Sequence, residues 1–275
     1  MKSIVAPVNF TANSGNAARY AADLALAIQA DLHLFHALQI PVSVADVPMP
    51  NHVFEELEAG AKTTLSQLRE ELVQRTGGKI RVSVHMEVGS VEHNIEEFCR
   101  RKTPFAIVMG TSGHSLERFF SGSHLPAAIR HLPYPLIVVP KDTEFHPIKK
   151  ILVACGLTDM AEGIPVATSF LKELKDHFDC HFDVINICTP RQDDQSEAEA
   201  TFQFNSWKDR LQEAYPEVHF VKMNKVEEGI EEYVSKHPTD IIMVFPRRHG
   251  LLEFHRSHSK QLAMHSNVPV MSIHA

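Results

Sequence analysis

Between residues 110 and 124 the chain reads Gly110-Thr111-Ser112-Gly113-His114-Ser115-Leu116-Glu117-Arg118-Phe119-Phe120-Ser121-Gly122-Ser123-His124. An apolar, strand-like run (FAIVM) leads in, and a helical pattern (SHLPAAIRHL) leads out. Glycine has no Cβ, so the backbone there turns tightly and comes close to an anion. A helix start adds unpaired N–H groups and the positive end of a dipole. Ser123 stands where a hydroxyl either caps the helix or donates to a phosphate. This is phosphate-binding chemistry; turn and cap chemistry without a ligand is the plainer account of the same spacing.

Other reactive residues are scattered. The chain has 18 histidines. His177-x2-Cys180-His181 and His255-x2-His258 have spacings that suit a metal, but neither has a second pair to complete a zinc set. HFDCHF (177–182) alternates like a strand, which sends Cys180 and His181 to opposite faces. No metal site is expected. A nucleophile elbow, an HExxH helix and a Walker lysine loop are all missing from the sequence. Only His114, Glu117 and His124 stand near the glycine loop as titratable groups, so ATP turnover has little support and no catalytic residue is assigned. Trp207 reads as a packing residue of an amphipathic helix.

Composition narrows the classes further. The 275 residues carry a net charge of −7, with 44% hydrophobic and 22% charged residues. An acidic balance argues against a general nucleic-acid binder. No apolar run reaches the ~20 residues that span a bilayer, so no membrane partner is expected. The first residues show no apolar secretory core. Cys99, Cys155, Cys180 and Cys188 form no CxxC pair and read as reduced thiols of a cytoplasmic protein.

The sequence repeats itself. KSIVAPVNFT (2–11) matches KKILVACGLT (149–158). KTPFAIVM (102–109) matches KHPTDIIM (236–243), and SHLPAAIRHLPYPLIVV (123–139) matches SHSKQLAMHSNVPVMSI (257–273). Two copies of a unit of about 140 residues, an ordinary domain size, account for this order. In copy one, apolar strands at 3–8, 31–38, 79–88, 105–110 and 135–140 alternate with helical patterns at 14–30, 54–77, 91–102 and 123–132. Segment 40–53, with three prolines, reads as a loop. Strand–helix alternation implies crossover connections and a parallel sheet covered on both faces. The expected fold is α/β: two tandem doubly wound domains, 1–141 and 148–275, each a five-stranded parallel sheet with four helices.

With the glycines in that context, each copy resembles a universal stress protein domain, and the whole chain resembles the tandem form, of the adenine nucleotide alpha hydrolase-like fold. That family carries G-x2-G-x9-G-[S/T] after its fourth strand; this chain has Gly110-x2-Gly113-x8-Gly122-Ser123. The resemblance implies an ATP-type site in copy one. Pro7, Val8 and Asn9 would lie near base and ribose, Ala37 beside adenine, and Met109 and Gly110 along ribose and phosphates. Gly113, Gly122 and Ser123 would cradle the phosphates, with His124 next to them. Two departures bear on this. Asn9 replaces the usual aspartate, exchanging a charged acceptor for an amide. The second glycine interval is one residue short, which alters the loop path by up to ~3.5 Å.

Copy two keeps only Gly250 and Ser257 of the pattern, with Arg256 in place of a glycine, and no nucleotide is expected there. Arg247, Arg248 and Arg256 read as a solvated basic loop, with the holding of another anion as the alternative. The family also implies that the last strands pair, residues 135–139 against 269–273, giving an internal pseudo-dimer; a homodimer beyond that is unreadable. The expected function is a non-enzymatic, cytoplasmic stress-response regulator with ATP in domain 1 and protein partners of unknown identity. The rival is a nucleotide-free protein-interaction module on the same fold.

Overall fold

The apolar runs are strands buried on both sides. Ile4, Val5 and Ala6 have no exposed surface, and neither do Ile107, Val108, Leu152 and Val153. Near-continuous apolar strands of this kind are characteristic of parallel sheets covered by helices. The computed structural model describes residues 2–39, 50–111, 132, 134–154, 168, 170–188, 217–245, 262 and 266–273. It divides into two compact units, 1–128 and 129–275.

In the first unit the order is β1 (Ser3–Pro7), α1 (Ala12–Ala27), β2 (Asp31–Leu38), α2 (Asn51–Arg75), β3 (Val82–Val88), α3 (Val91–Lys102) and β4 (Ala106–Gly110). The strands lie in the spatial order β3-β2-β1-β4, all parallel. Right-handed crossovers from β1 to β2 to β3 put α1 and α2 on one face; the return from β3 to β4 puts α3 on the other. The contacts agree: α1 packs on α2 and β4, while α3 packs on β2 and β1. Arg75–Asp23 (2.8 Å) and Arg19–Glu71 (2.5 Å) ion pairs join α1 and α2 at the surface.

The second unit holds β5 (Leu136–Val139), β6 (Lys150–Ala154), β7 (His181–Cys188), β8 (Val218–Lys222), α4 (Val226–Lys236), β9 (Ile241–Val244) and β10 (Val270–Ser272). Their spatial order is β5-β10-β9-β6-β7-β8. All pairs are parallel except β5 with β10, where Val138 faces Val270 and Leu136 faces Ser272. The expected pairing of 135–139 with 269–273 is therefore present, and it draws β5 into the second unit.

Three local readings change. Helix α2 begins at Asn51, inside the segment read as a loop, directly after Pro50, whose fixed backbone precedes the first turn. Helix α1 starts at Ala12 because Thr11 caps it. Residues 177–180 are not strand: a helical segment (170–175) ends in a turn there, and β7 begins at His181. Cys180 is still buried and His181 exposed. The fourth helix of copy one (123–132) falls almost entirely outside the described residues, as do Cys155, Trp207 and the copy-two loop from Arg247 to Ser257.

Candidate functional site

The strand order of the first unit reverses between β1 and β4, and in open parallel sheets such a switch point opens a crevice beyond the carboxyl ends of the strands. Six of the sequence-derived site residues meet at that edge: Pro7, Val8 and Asn9 at the end of β1, Ala37 near the end of β2, and Met109 and Gly110 at the end of β4. Gly113, Gly122, Ser123 and His124 lie outside the described residues, as do His114 and Glu117.

Gly110 is required by a close approach. A Cβ built there would collide with the Asn13 carbonyl oxygen and lie 2.9 Å from its carbon. The first turn of α1 thus sits directly on the end of β4. Asn13 fastens the same contact, its Nδ2 donating to the Thr111 carbonyl at 2.7 Å.

Asn9 is engaged by its own neighbours. Its Oδ1 accepts from the Thr11 hydroxyl (2.6 Å) and the Thr11 N–H (3.3 Å), and its backbone N–H donates to Ser14 Oγ (3.3 Å). Thr11 Oγ1 in turn accepts from the Ser14 N–H at 3.3 Å, closing the helix cap. The amide oxygen is committed to the turn. An aspartate here would have kept a second acceptor oxygen. Val8 is fully committed too: its N–H donates to the Phe35 carbonyl (2.8 Å), and its carbonyl is bonded by His36 Nδ1 (2.8 Å).

His36 belongs to the site without a sequence motif to announce it. Burial lowers its pKa, with the Val8 carbonyl pulling the other way, so the ring is neutral near pH 7 and Nδ1 is the protonated nitrogen. Phe10 lies over it, ring centroids 4.3 Å apart and planes tilted by 32°. The T-x-x-S spacing at Thr11 and Ser14 is the one sequence signal for this cap network; the His36–Val8 bond depends on strand register and has none.

A second cluster lies at the opposite, amino-terminal end of the strands in the second unit. Asp183 Oδ2 pairs with Lys150 Nζ at 2.7 Å and accepts from the Tyr233 hydroxyl at 3.2 Å. Burial and the Asp183 charge push the Tyr233 pKa up to about 12, so it stays a donor. His219 Nε2 approaches Glu217 (3.7 Å) and Asp183 (4.0 Å), and one ligand atom from each of the three lies within 4.8 Å of the others. Lys150 already supplies the cation that a buried carboxylate demands, and the set ties β6, β7 and α4 together. Cys99 and Cys180 are buried thiols, Cys99 pushed up to about 12, and neither is a nucleophile.

Among the described residues, no helix is long and apolar enough to cross a membrane. No curated protein matches the sequence. The profile described as Universal stress protein family matches residues 1–140. Among solved structures, a universal stress protein from Archaeoglobus fulgidus DSM 4304 is similar over 99% of this chain and 96% of its own, at 15% identity and a TM-score of 0.73. A putative universal stress protein from Pseudomonas aeruginosa UCBPP-PA14 is similar over 99% and 93%, at 14% identity and a TM-score of 0.61. The switch-point site, the repeated sheet and the profile match converge: this chain belongs to the universal stress protein family, in its tandem form.

Proposed function

We propose that the first unit is a nucleotide-binding regulatory module for stress response, taking ATP without turning it over, and that the second unit binds no nucleotide. The observation that carries this reading is the Gly110–Asn13 contact. It sets a helix N-terminus and the start of the glycine loop side by side at the switch point, where oriented N–H groups favour a phosphate. Asn9 offers donors where most relatives would offer a carboxylate, so a ring nitrogen or a ribose oxygen is its natural partner.

Calorimetry with ATP tests the reading, comparing the wild type with Gly113→Val and Ser123→Ala. Saturable binding that is lost in both variants supports a sensor built on the loop. Absence of binding up to millimolar ATP sinks it and leaves the nucleotide-free interaction module, which the engagement of the Asn9 oxygen by Thr11 favours. A phosphate-release assay tests the non-enzymatic part: release above the buffer rate in wild type, lost in Gly113→Val, would make the protein a hydrolase.

A further inference from the structure

Two energetic costs coincide at Phe10. Its φ is 62°, a left-handed backbone that a bulky L-residue rarely adopts. As a residue it is 40% exposed despite its large apolar side chain. Of the three large apolar side chains exposed among the described residues, Phe10 and Val88 both lie at carboxyl ends of first-unit strands or just past them, and the third, Leu57, is on α2. Two of these three described residues thus lie at the carboxyl edge of the first unit's sheet, where the candidate site lies.

The ring is also held rather than loose. One side lies against His36, which is itself fixed by its bond to the Val8 carbonyl. The backbone on both sides is pinned, Asn9 N–H to Ser14 and Thr11 N–H to Asn9. Phe10 thus combines a fixed ring contact on His36 with 40% exposure of the residue as a whole. A flat π-system laid on the ring would bury apolar surface and gain offset stacking. Bases stack on aromatic side chains in a sequence-tolerant way because every base has a π-face.

We propose that Phe10, backed by His36, is the platform on which the nucleobase of the bound nucleotide stacks, making it the residue that distinguishes a nucleotide from a bare polyphosphate. This rests on the nucleotide reading above and adds to it a specificity residue. Adenine is not singled out by stacking alone; the platform takes any nucleobase, purines best because they cover more of the ring.

The test measures ATP and inorganic tripolyphosphate affinities by calorimetry for wild type, Phe10→Ala, Phe10→Leu and Phe10→Trp. Alanine retains the strained backbone and removes the ring, and leucine retains apolar bulk without a flat face. Phe10→Ala and Phe10→Leu are expected to weaken ATP binding about 10- to 100-fold, with tripolyphosphate affinity within twofold of wild type. Phe10→Trp is expected to keep ATP binding and to show indole emission quenched by ATP but not by tripolyphosphate. Equal losses for ATP and tripolyphosphate would mean the ring only holds the Asn9–Thr11 turn, and would overturn the proposal. So would full ATP affinity in Phe10→Leu. A wild type that binds ATP alongside an unaffected Phe10→Ala rejects the platform alone; a wild type that binds no nucleotide rejects both readings. Circular dichroism of each variant confirms that it folds.

Discussion

His33 on β2 and His85 on β3 meet with Nδ1 and Nε2 3.1 Å apart, and Phe98 of α3 lies edge-on to His33 at 5.8 Å. Burial, helped by His85 and by the positive charges of Lys102 and Arg81, pushes His33 down to about 4. His85 is lowered as well, chiefly by burial. A histidine held below its unfolded value of about 6.5 is neutral in the fold, while the unfolded chain takes up the proton first. Its contribution is therefore present above pH 6.5 and is lost as pH falls from 6.5 toward 4. The loss is on the order of 2 kcal/mol, allowing for water at the edge of the pair. Denaturant unfolding at pH 7 and pH 4.5 should show His33→Gln losing about 2 kcal/mol less than wild type. Equal losses would mean that His33 titrates as a free histidine. None of this pairing was legible in the sequence, because it depends on a register that sets Phe35 opposite His85 and thereby brings His33 alongside. Gly110 stood out in the sequence as a strand-end glycine beside a phosphate, whereas the reason the structure gives for it, the Asn13 backbone pressed against it, is a contact between elements that no local pattern records. The commitment of Asn9 to Thr11 was not legible, because it is a matter of side-chain conformation rather than residue type.

At the scale of elements, α1 and β4 are fitted to each other, and two substitutions separate the parts of that fit. Thr11→Ala removes the cap hydroxyl that accepts from the Ser14 N–H and donates to Asn9. It is expected to cost about 1 kcal/mol of unfolding free energy. Gly110→Ala drives a methyl into the backbone of the first turn of α1, where no rotamer can move away. Overpacking of this kind costs about 1–3 kcal/mol, and here it also moves the end of β4. Gly110→Ala should therefore abolish ATP binding in a protein that remains folded, whereas Thr11→Ala should only weaken it. Wild-type ATP affinity in Gly110→Ala would show that the close approach is packing without function. Most elements were legible because apolar periodicity is strong where both sides of a strand are buried. Boundaries were less so. The proline-rich segment hid the start of α2 at Asn51, and the alternation of HFDCHF imitated a strand across what is a helix end, since a short apolar–polar pattern fits either period.

For the whole molecule, the repeat in the sequence and the packing of the chain give different divisions. The repeat assigns β5 to copy one, while β5 packs in the second unit, hydrogen-bonded to β10. The family resemblance made the pairing readable, but the unit that β5 would join depends on which contacts dominate, and those are not written in a local pattern. The pairing gives β10 a partner on both edges, β5 on one side and β9 on the other, which removes a row of unpaired backbone groups that would otherwise invite self-association. Ile137, almost fully buried, faces Met271, which has no exposed surface. Ile137→Ala is expected to cost about 2–4 kcal/mol. Hydrogen exchange can then locate the loss. If β5 is an integral strand of the second unit, the amides of Val270–Ser272 and of Ile241–Val244 should exchange faster together, as one cooperative sheet. Faster exchange confined to residues 136–139 would mean that β5 is laid on the second unit without being part of its folding unit, and the division of the chain at residue 128 would have to move toward the end of the first copy.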